Sequence, residues 1–520
     1  MSAGTHFCPD TIRNFESSIQ SLCHIPKPPA VNLDNPDKTP TMEESTITLP
    51  TPLSEETIHL SALDQQAQRH YAKPLLLFKA QHEGLNGPLI RHLKTALSVA
   101  LAETPEFAST VVPIPGSTRK ELQLRLTPKS GAVLRVVDYT SDELRPEWPY
   151  GSFDELAARH FLFDALEIPK EKLVSPAFLN IPDEATELPA LGIQVSLIEG
   201  GVVVAFCWHH TVSDARGAVV LLNAWARRTR ECVVDGKPGE PRSGLCLDDE
   251  SRERWRLDYG SAYPAEVPRE YVVDSSRRSP VAPGSLHLMD REVPLGKPFR
   301  ISTWYFSAEG LKALRETIGG QFTVVEMVCS LMWKCVSRAR GLLDDGNKAG
   351  TSLFTTRLEF RSRLNPPLPG SFIGNICEPN ARARLPLAEV CSAPAGESLA
   401  ALASAIRTAT EAVDEAAVRS YISHIHSLPA VTDLTWDYKG FPGPDFGVTD
   451  LSGLDLFKMD WGPTLGKPVG LRFAYREGGL VYLLPMDPEG GMEVQVLCEP
   501  EAVEVMVGDG FLGAYCGLRA

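Results

Sequence analysis

Apolar and polar residues recur along this 520-residue chain with two periods, and the change from one to the other marks out its elements. In "PLIRHLKTALSVALAE" the residues Leu89, Leu93, Ala96, Leu97 and Leu101 fall on one helical face, and a strand ending near Phe78 precedes it. "ELQLRLTP" and "AVLRVVDY" alternate with period two, as half-buried strands do. "IQVSLIEGGVVVAFCWHH" reads as a hairpin turning at Gly200 and Gly201, and Val202 to Trp208 are apolar enough to be covered on both faces. The segment "ARGAVVLLNAWARRTRE" then predicts a helix whose last turn gathers cations, as the macrodipole favours.

The pattern repeats in character, without sequence repetition, further on. "RISTWYFSAEGLKALRETIGG" predicts strand then helix, "TVVEMVCSLMWKCVSRARG" and "ESLAALASAIRTATEAV" predict helices, and "GLRFAYREGGLVYLLPM" and "MEVQVLCEP" predict late strands. Residues 24 to 57 are rich in Pro, Thr and acidic residues and lack apolar periodicity, so residues 1–57 are expected to be a partly disordered leader. Residues 233–298, broken by Pro and Gly, are expected to be a crossover between a first folded half, 58–232, and a second, 299–520. The expected class is α/β, with two sandwich-like domains.

Length and 43% hydrophobic content supply apolar material for two cores. The net charge of −15 disfavours nucleic acid or an anionic membrane as partner. The eleven cysteines, Cys207, Cys329, Cys335 and Cys498 among them, are scattered and lack the CxxC spacing of a zinc site, so reduced thiols and no metal are expected. The first residues resemble no secretion signal, no run approaches the ~18 apolar residues of a membrane span, and Cys516 stands one place too far from the end for prenylation. A cytoplasmic monomer is the expectation.

Candidate chemistry concentrates in "AFCWHHTVSDARGAVVLL". Metal ligation by His209 and His210 lacks further ligands at familiar spacing, and adjacent strand residues face opposite ways. A structural reading makes Asp214 the N-cap of the next helix and the histidines core residues. A nucleophilic triad would need a Gly-x-Ser-x-Gly elbow, which is absent. The remaining reading is a lone histidine base with a positioned carboxylate behind it. That suits acyl transfer from a thioester, which is already activated and requires only removal of the acceptor's proton.

"HHTVSDARG" resembles the HxxxD motif of the BAHD acyltransferases, the coenzyme-A-dependent superfamily that includes the fungal trichothecene 3-O-acetyltransferase-like enzymes. Three further segments follow the family's order: "IHLSALDQQ", "FRSRLNPPLPGSFIGN" and "DWGPTLGKP", the last similar to the signature Asp-Phe-Gly-Trp-Gly. The resemblance covers Ile58 to the C-terminus. It departs from the pattern at Ala215, Trp461 and Pro463.

The resemblance implies two chloramphenicol-acetyltransferase-like domains, mixed sheets flanked by helices, with an active-site tunnel at their interface. It implies His210 as base, Asp214 turned toward Arg361 (or Arg363), and Asp460 and Gly462 as shapers of a loop beside the coenzyme. Gly466, Lys467, Ser302 and Asn375 are candidates on the coenzyme side; Ser302 and Thr303 sit where a second-half strand could face the tunnel and support an oxyanion, but hydrogen-bonded strand residues are the better reading of them. Trp208 and Trp333 are expected in the core. "PDFGVTD" competes with "MDWGPTLGKP" as the second signature; the former is expected to be an irregular acceptor-side loop, with Asp445 governing acceptor preference. The implied activity is O-acyl transfer, foremost acetyl transfer, from acyl-CoA to a hydroxyl of a secondary metabolite, with no permanently bound cofactor. A free-standing condensation-domain-like enzyme fed by a carrier protein, and an idle binding protein of the same fold, remain the alternatives.

Overall fold

Strands with period-two or continuous apolar character can bury a face only by pairing side by side, and here they assemble into two seven-stranded mixed sheets. The computed structural model describes residues 41–80, 87–163, 170–179, 181, 185–242, 264–265, 271–273, 300–343, 350–440, 443–473 and 480–519. Both sheets lie within the compact unit that begins at Thr39.

The first sheet runs Met42–Thr48, Gly131–Asp138, Leu191–Ile198, Gly201–His209, Pro74–Lys79, Gly470–Phe473, and Tyr71–Ala72 pairs with the end of Gly201–His209. Both strands of its central hairpin are buried throughout, as the continuous apolar run requires. The second sheet runs Ala381–Pro386, Thr351–Thr356, Phe446–Asp450, Leu480–Leu483, Met492–Cys498, Arg300–Phe306, Gly517–Leu518. The helices Gly87–Glu103 and Ala215–Asp235 pack together beside the first sheet, tied by Trp225 Nε1 donating to the Leu93 carbonyl at 2.9 Å. Val324–Ala339 is capped by Thr323 and Glu326 reciprocally, and its Trp333 is fully buried, donating to Ser352 Oγ at 2.8 Å. The architecture is thus the α/β one expected, in two sheet-centred bodies.

Four expectations change. Met42–Thr48, inside the span read as leader, is an edge strand in antiparallel register with Gly131–Asp138. None of its side chains is fully buried, so "MEESTIT" carries no apolar signal. Residues 1–40 lie outside the described residues. Gly470–Phe473, from the second half, pairs with Pro74–Lys79 and belongs to the first sheet, so the division at 299 does not separate the sheets cleanly. The helix after Asp214 continues to Asp235, so Arg227 and Arg228 are not in its last turn. They reach the fully buried Glu103 carboxylate instead. Of the crossover, Tyr271–Val273 pairs with Leu434–Trp436, and residues 243–263, 266–270 and 274–299 lie outside the described residues.

"PDFGVTD" is no irregular insertion. Phe446–Asp450 is an interior strand, parallel to both Thr351–Thr356 and Leu480–Leu483. Asp445 is buried and its carboxylate accepts the amides of Leu353 at 2.9 Å and Lys439 at 2.8 Å, which makes it a clamp at the strand's entry. The flanking Pro and Gly residues concealed a strand too short to show its period. No helix of the described residues is long and apolar enough to cross a membrane.

Candidate active site

The strand Gly201–His209 ends where its ladder does. His209 donates its amide to Ala190 at 2.9 Å, His210 donates its amide to the His70 carbonyl at 2.9 Å, and the chain turns through Val212 into Asp214. Adjacent strand residues point to opposite sides, and the two histidines part accordingly. His209 is fully buried, with its Nδ1 2.7 Å from Thr211 Oγ1 and its ring edge-on to Tyr71. His210 faces the main cavity between the sheets.

The orientation of the His210 ring is determined from the other end of the chain. Ser61 caps the short helix Ala62–Gln66, and Asp64 answers in a capping box. Asp64 Oδ2 accepts from the Ser61 amide and hydroxyl, and Oδ1 accepts from the Asn375 amide at 2.7 Å and Asn375 Nδ2 at 2.9 Å. Asn375 Nδ2 spends its other hydrogen on the His210 carbonyl at 2.9 Å. Its Oδ1 therefore faces His210 Nδ1, at 3.2 Å, as an acceptor. The network assigns the proton to Nδ1 and leaves Nε2 with its lone pair. Burial, and after it the charge of Arg357, bring the His210 pKa down to about 4, so the ring is neutral at pH 7. Burial pushes the Asp64 carboxyl up to about 6, against the hydrogen bonds that favour its anion.

Asp214 caps the helix Ala215–Asp235 by accepting the Gly217 amide at 2.9 Å. It turns away from His210. Arg361, in the turn Arg361–Arg363, grips it with both terminal nitrogens at 3.0 Å, and the Ile376 amide adds a bond at 3.0 Å. Burial raises the Asp214 carboxyl, but the Arg361 charge and these donors together carry it below the usual range. Arg361 is itself buried and also donates to the Gly374 carbonyl at 3.0 Å. Gly374 adopts φ +147°, and a Cβ there would stand 2.7 Å from the Phe372 ring, so this connection needs glycine. Arg363 instead donates to the exposed Thr410 carbonyl.

The cavity holds about 950 Å³ of empty space, counting the part continuous with solvent. Its polar lining includes Gln68, His70, Arg357 and Asn380 beside His210. His70 stands edge-on to His210, ring centroids 5.6 Å apart, and burial holds it well below the ordinary histidine range. Arg357 pairs with Glu378 at 3.2 Å. Trp208 belongs to the first core, as expected, while also lining this cavity, and it props the turn by donating to the Ser213 carbonyl at 2.8 Å.

The other candidates lie elsewhere. Ser302 is buried within the second sheet, donating to the Val496 carbonyl at 3.3 Å and accepting from Trp304, and Thr303 is likewise not among the lining residues. Asp460 accepts the Gly462 amide at 2.9 Å and pairs with Arg230 at 3.3 Å near the surface. Gly462 has φ +91°, where its Cα could carry no side chain without strain. Trp461 donates its amide to the Gly466 carbonyl at 2.8 Å and packs, fully buried, against Phe78 and Trp225. Lys467 is exposed, and none of residues 460 to 468 lines the cavity. Asn375 belongs with His210. Sequence reasoning assigned no role to Asp64, although it lies in "IHLSALDQQ", nor to His70 or Arg357, and all three meet His210 only through the fold.

Comparison with known proteins adds an independent line. The family model described as "Transferase family" matches residues 167–510, and that of the trichothecene 3-O-acetyltransferase-like N-terminal domain matches residues 71–228. Acyltransferase easC of Emericella nidulans is 47% identical over 487 residues, covering 92% of this chain and 98% of that one. Acyltransferase cm3D of Cordyceps militaris is 41% identical over 494 residues, covering 92% and 100%. Among solved structures, TRI101 of F. sporotrichioides complexed with coenzyme A and T-2 superposes with a TM-score of 0.71 at 16% identity, covering 89% of this chain and all of that one. Vinorine synthase superposes with a TM-score of 0.62 at 18% identity, covering 89% and 96%.

Proposed function

The chain is an acyltransferase and belongs to the BAHD transferase family, and from that premise we propose that it moves an acyl group from a coenzyme A thioester to a hydroxyl of a small secondary metabolite, with His210 as general base and no covalent intermediate. The observation that carries this reading is the His210 ring, neutral, committed at Nδ1 to Asn375 and facing the cavity. That a TRI101 enzyme of similar fold is complexed with coenzyme A and T-2 supports a coenzyme A donor and a small-molecule acceptor.

The steps balance without further groups. His210 Nε2 takes the acceptor's proton as its oxygen attacks the thioester carbonyl, giving a tetrahedral oxyanion. Collapse breaks the carbon–sulfur bond, and the departing thiolate takes the proton back from Nε2. Acetyl is the expected acyl group from the resemblance. Asp214 acts on Arg361 and the turn, so its part is to hold His210's backbone in place.

The test is release of free thiol by the full-length protein given acetyl-CoA and a panel of alcohols and amines. His210→Ala should lower turnover by about 10²–10⁴, the range that general-base catalysis supplies, with folding retained. His209→Ala should lower it far less. Equal losses from the two would remove His210 from the role. Transfer from an acyl carrier protein, with none from any free acyl-CoA, would instead assign the donor to a carrier protein.

A further inference from the structure

Acetyl is a small group for this cavity, and one wall of the cavity has a direction. Ala215, Ala218, Val219 and Leu222 all line it, and their i, i+3, i+4, i+7 spacing places them in one stripe of the helix that starts directly after Asp214. The stripe leads away from the turn that carries His210 for about 10 Å along the helix axis. It contains no polar side chain. Leu76 and Leu471, partners in the antiparallel ladder of the first sheet, line the same cavity. Of the charged and hydrogen-bonding lining residues, His70 and Arg357 stand by His210, and Gln68, Thr355, Asn380, Thr449 and Tyr482 come from elements other than this helix.

We infer that this stripe seats a linear hydrocarbon chain, carried by one of the two reactants, whose reacting end lies at His210; the inference rests on the acyl-transfer reading above. An extended chain covers about 3.5 Å per three bonds, so a 10 Å stripe accommodates about eight or nine bonds, a chain of eight to ten carbons. Each methylene laid against such a wall contributes about 0.8 kcal/mol, close to a fourfold gain in binding. An acetyl group or a short polar acceptor would leave the aliphatic wall against water.

The chain can come from the acyl donor or from the acceptor, and two titrations separate them. Full-length protein carrying His210→Ala, slowed by the factor given above and with no second reactant present, is titrated calorimetrically with acetyl-, butanoyl-, hexanoyl-, octanoyl-, decanoyl- and tetradecanoyl-CoA. In a second arm it is titrated with 1-alkanols of the same lengths. Affinity in one arm should rise about fourfold per methylene and level off at eight to ten carbons, and the arm that does so names the reactant. Val219→Phe should move the plateau to shorter chains. Leu222→Phe, at the far end of the stripe, should remove only the last two or three carbons' gain, and it serves if Val219→Phe unfolds. Affinity flat with length in both arms overturns the inference. Thiol release by the wild-type enzyme tests the acyl-transfer reading separately, so one can fail without the other.

Discussion

Asp214 and Asp460 each open a short signature, yet the molecule treats them differently. Asp214 is buried and accepts four hydrogen bonds, two from Arg361 and one each from the amides of Gly217 and Ile376. Asp460 is exposed, accepts one bond from two residues further on, and shares a half-exposed ion pair with Arg230. The first carboxylate joins segments from both halves of the chain at the cavity. The second shapes a local turn whose useful product is the burial of Trp461 between Phe78 and Trp225. One signature is held by its aspartate, the other by the aromatic residue beside it.

That contrast can be broken at its strong end first. Asp214→Ala leaves the buried Arg361 without its bidentate partner, with only the more exposed Glu359 carboxylate at 3.1 Å still facing it, and unfolding in urea should show a loss of about 3–5 kcal/mol, to which the missing cap adds about 1. Replacing the pair together, Asp214→Leu with Arg361→Met, should recover part of the loss. A single variant as stable as wild type would show that the pair holds nothing. Trp461→Ala should destabilise by about 3–5 kcal/mol through the cavity it leaves, read as a lower midpoint at unchanged slope.

A middle case is Asp64, buried like Asp214 but with no cation beside it in its hydrogen-bond network. Asp64→Asn puts amide hydrogens where only acceptors fit, freeing Asn375 to rotate and the His210 proton to move from Nδ1 to Nε2, which removes the basic lone pair from the cavity side. Turnover should fall at least tenfold while KM for acyl-CoA stays within a factor of two; equal changes in both would mean a general structural lesion. Its folded pKa of about 6 lies above the ordinary 3.8, so the wild type holds the extra proton in the folded state between those values. Its stability relative to Asp64→Asn should therefore rise as pH falls from 7 to 4. His210, shifted the other way, loses in the variant the Asn375 contact that raises its pKa, which drives the difference in the same direction. A difference that shrinks on acidification would refute the assignment.

The smallest effect expected is that of Asp460→Ala, about 0–1 kcal/mol, since its ion pair is exposed and screened. A loss as large as that of Trp461→Ala would invert the comparison.

The parts of this site that could be read in the sequence are those written in consecutive residues. His210, Asp214 and the helix they introduce sit within one short stretch, and period-two and period-3.6 patterns located most strands and helices around it. Asp64 and Asn375 were present in recognisable segments, but the bond joining them to each other spans 311 residues and the one joining Asn375 to His210 spans 165, and neither leaves a periodic trace. Met42–Thr48 escaped because an edge strand with no fully buried residue resembles a loop in composition. Phe446–Asp450 escaped because a short strand parallel to both its neighbours is specified by those neighbours, which are distant in sequence. Ser302 is the hydrogen-bonded strand residue that its position in an apolar strand favoured, donating to the Val496 carbonyl, and only its coenzyme-side candidacy fails.

The strand Gly470–Phe473 carries a consequence for the timing of assembly. Pro74–Lys79 is fully buried along most of its length and depends on that late strand for one of its two neighbours. During synthesis, the first half must wait with an apolar strand edge uncovered until the last tenth of the chain has emerged. Such an edge is a template for pairing with other copies. The early half expressed by itself should accumulate as aggregate, and a peptide spanning the late strand, supplied during refolding, should suppress it.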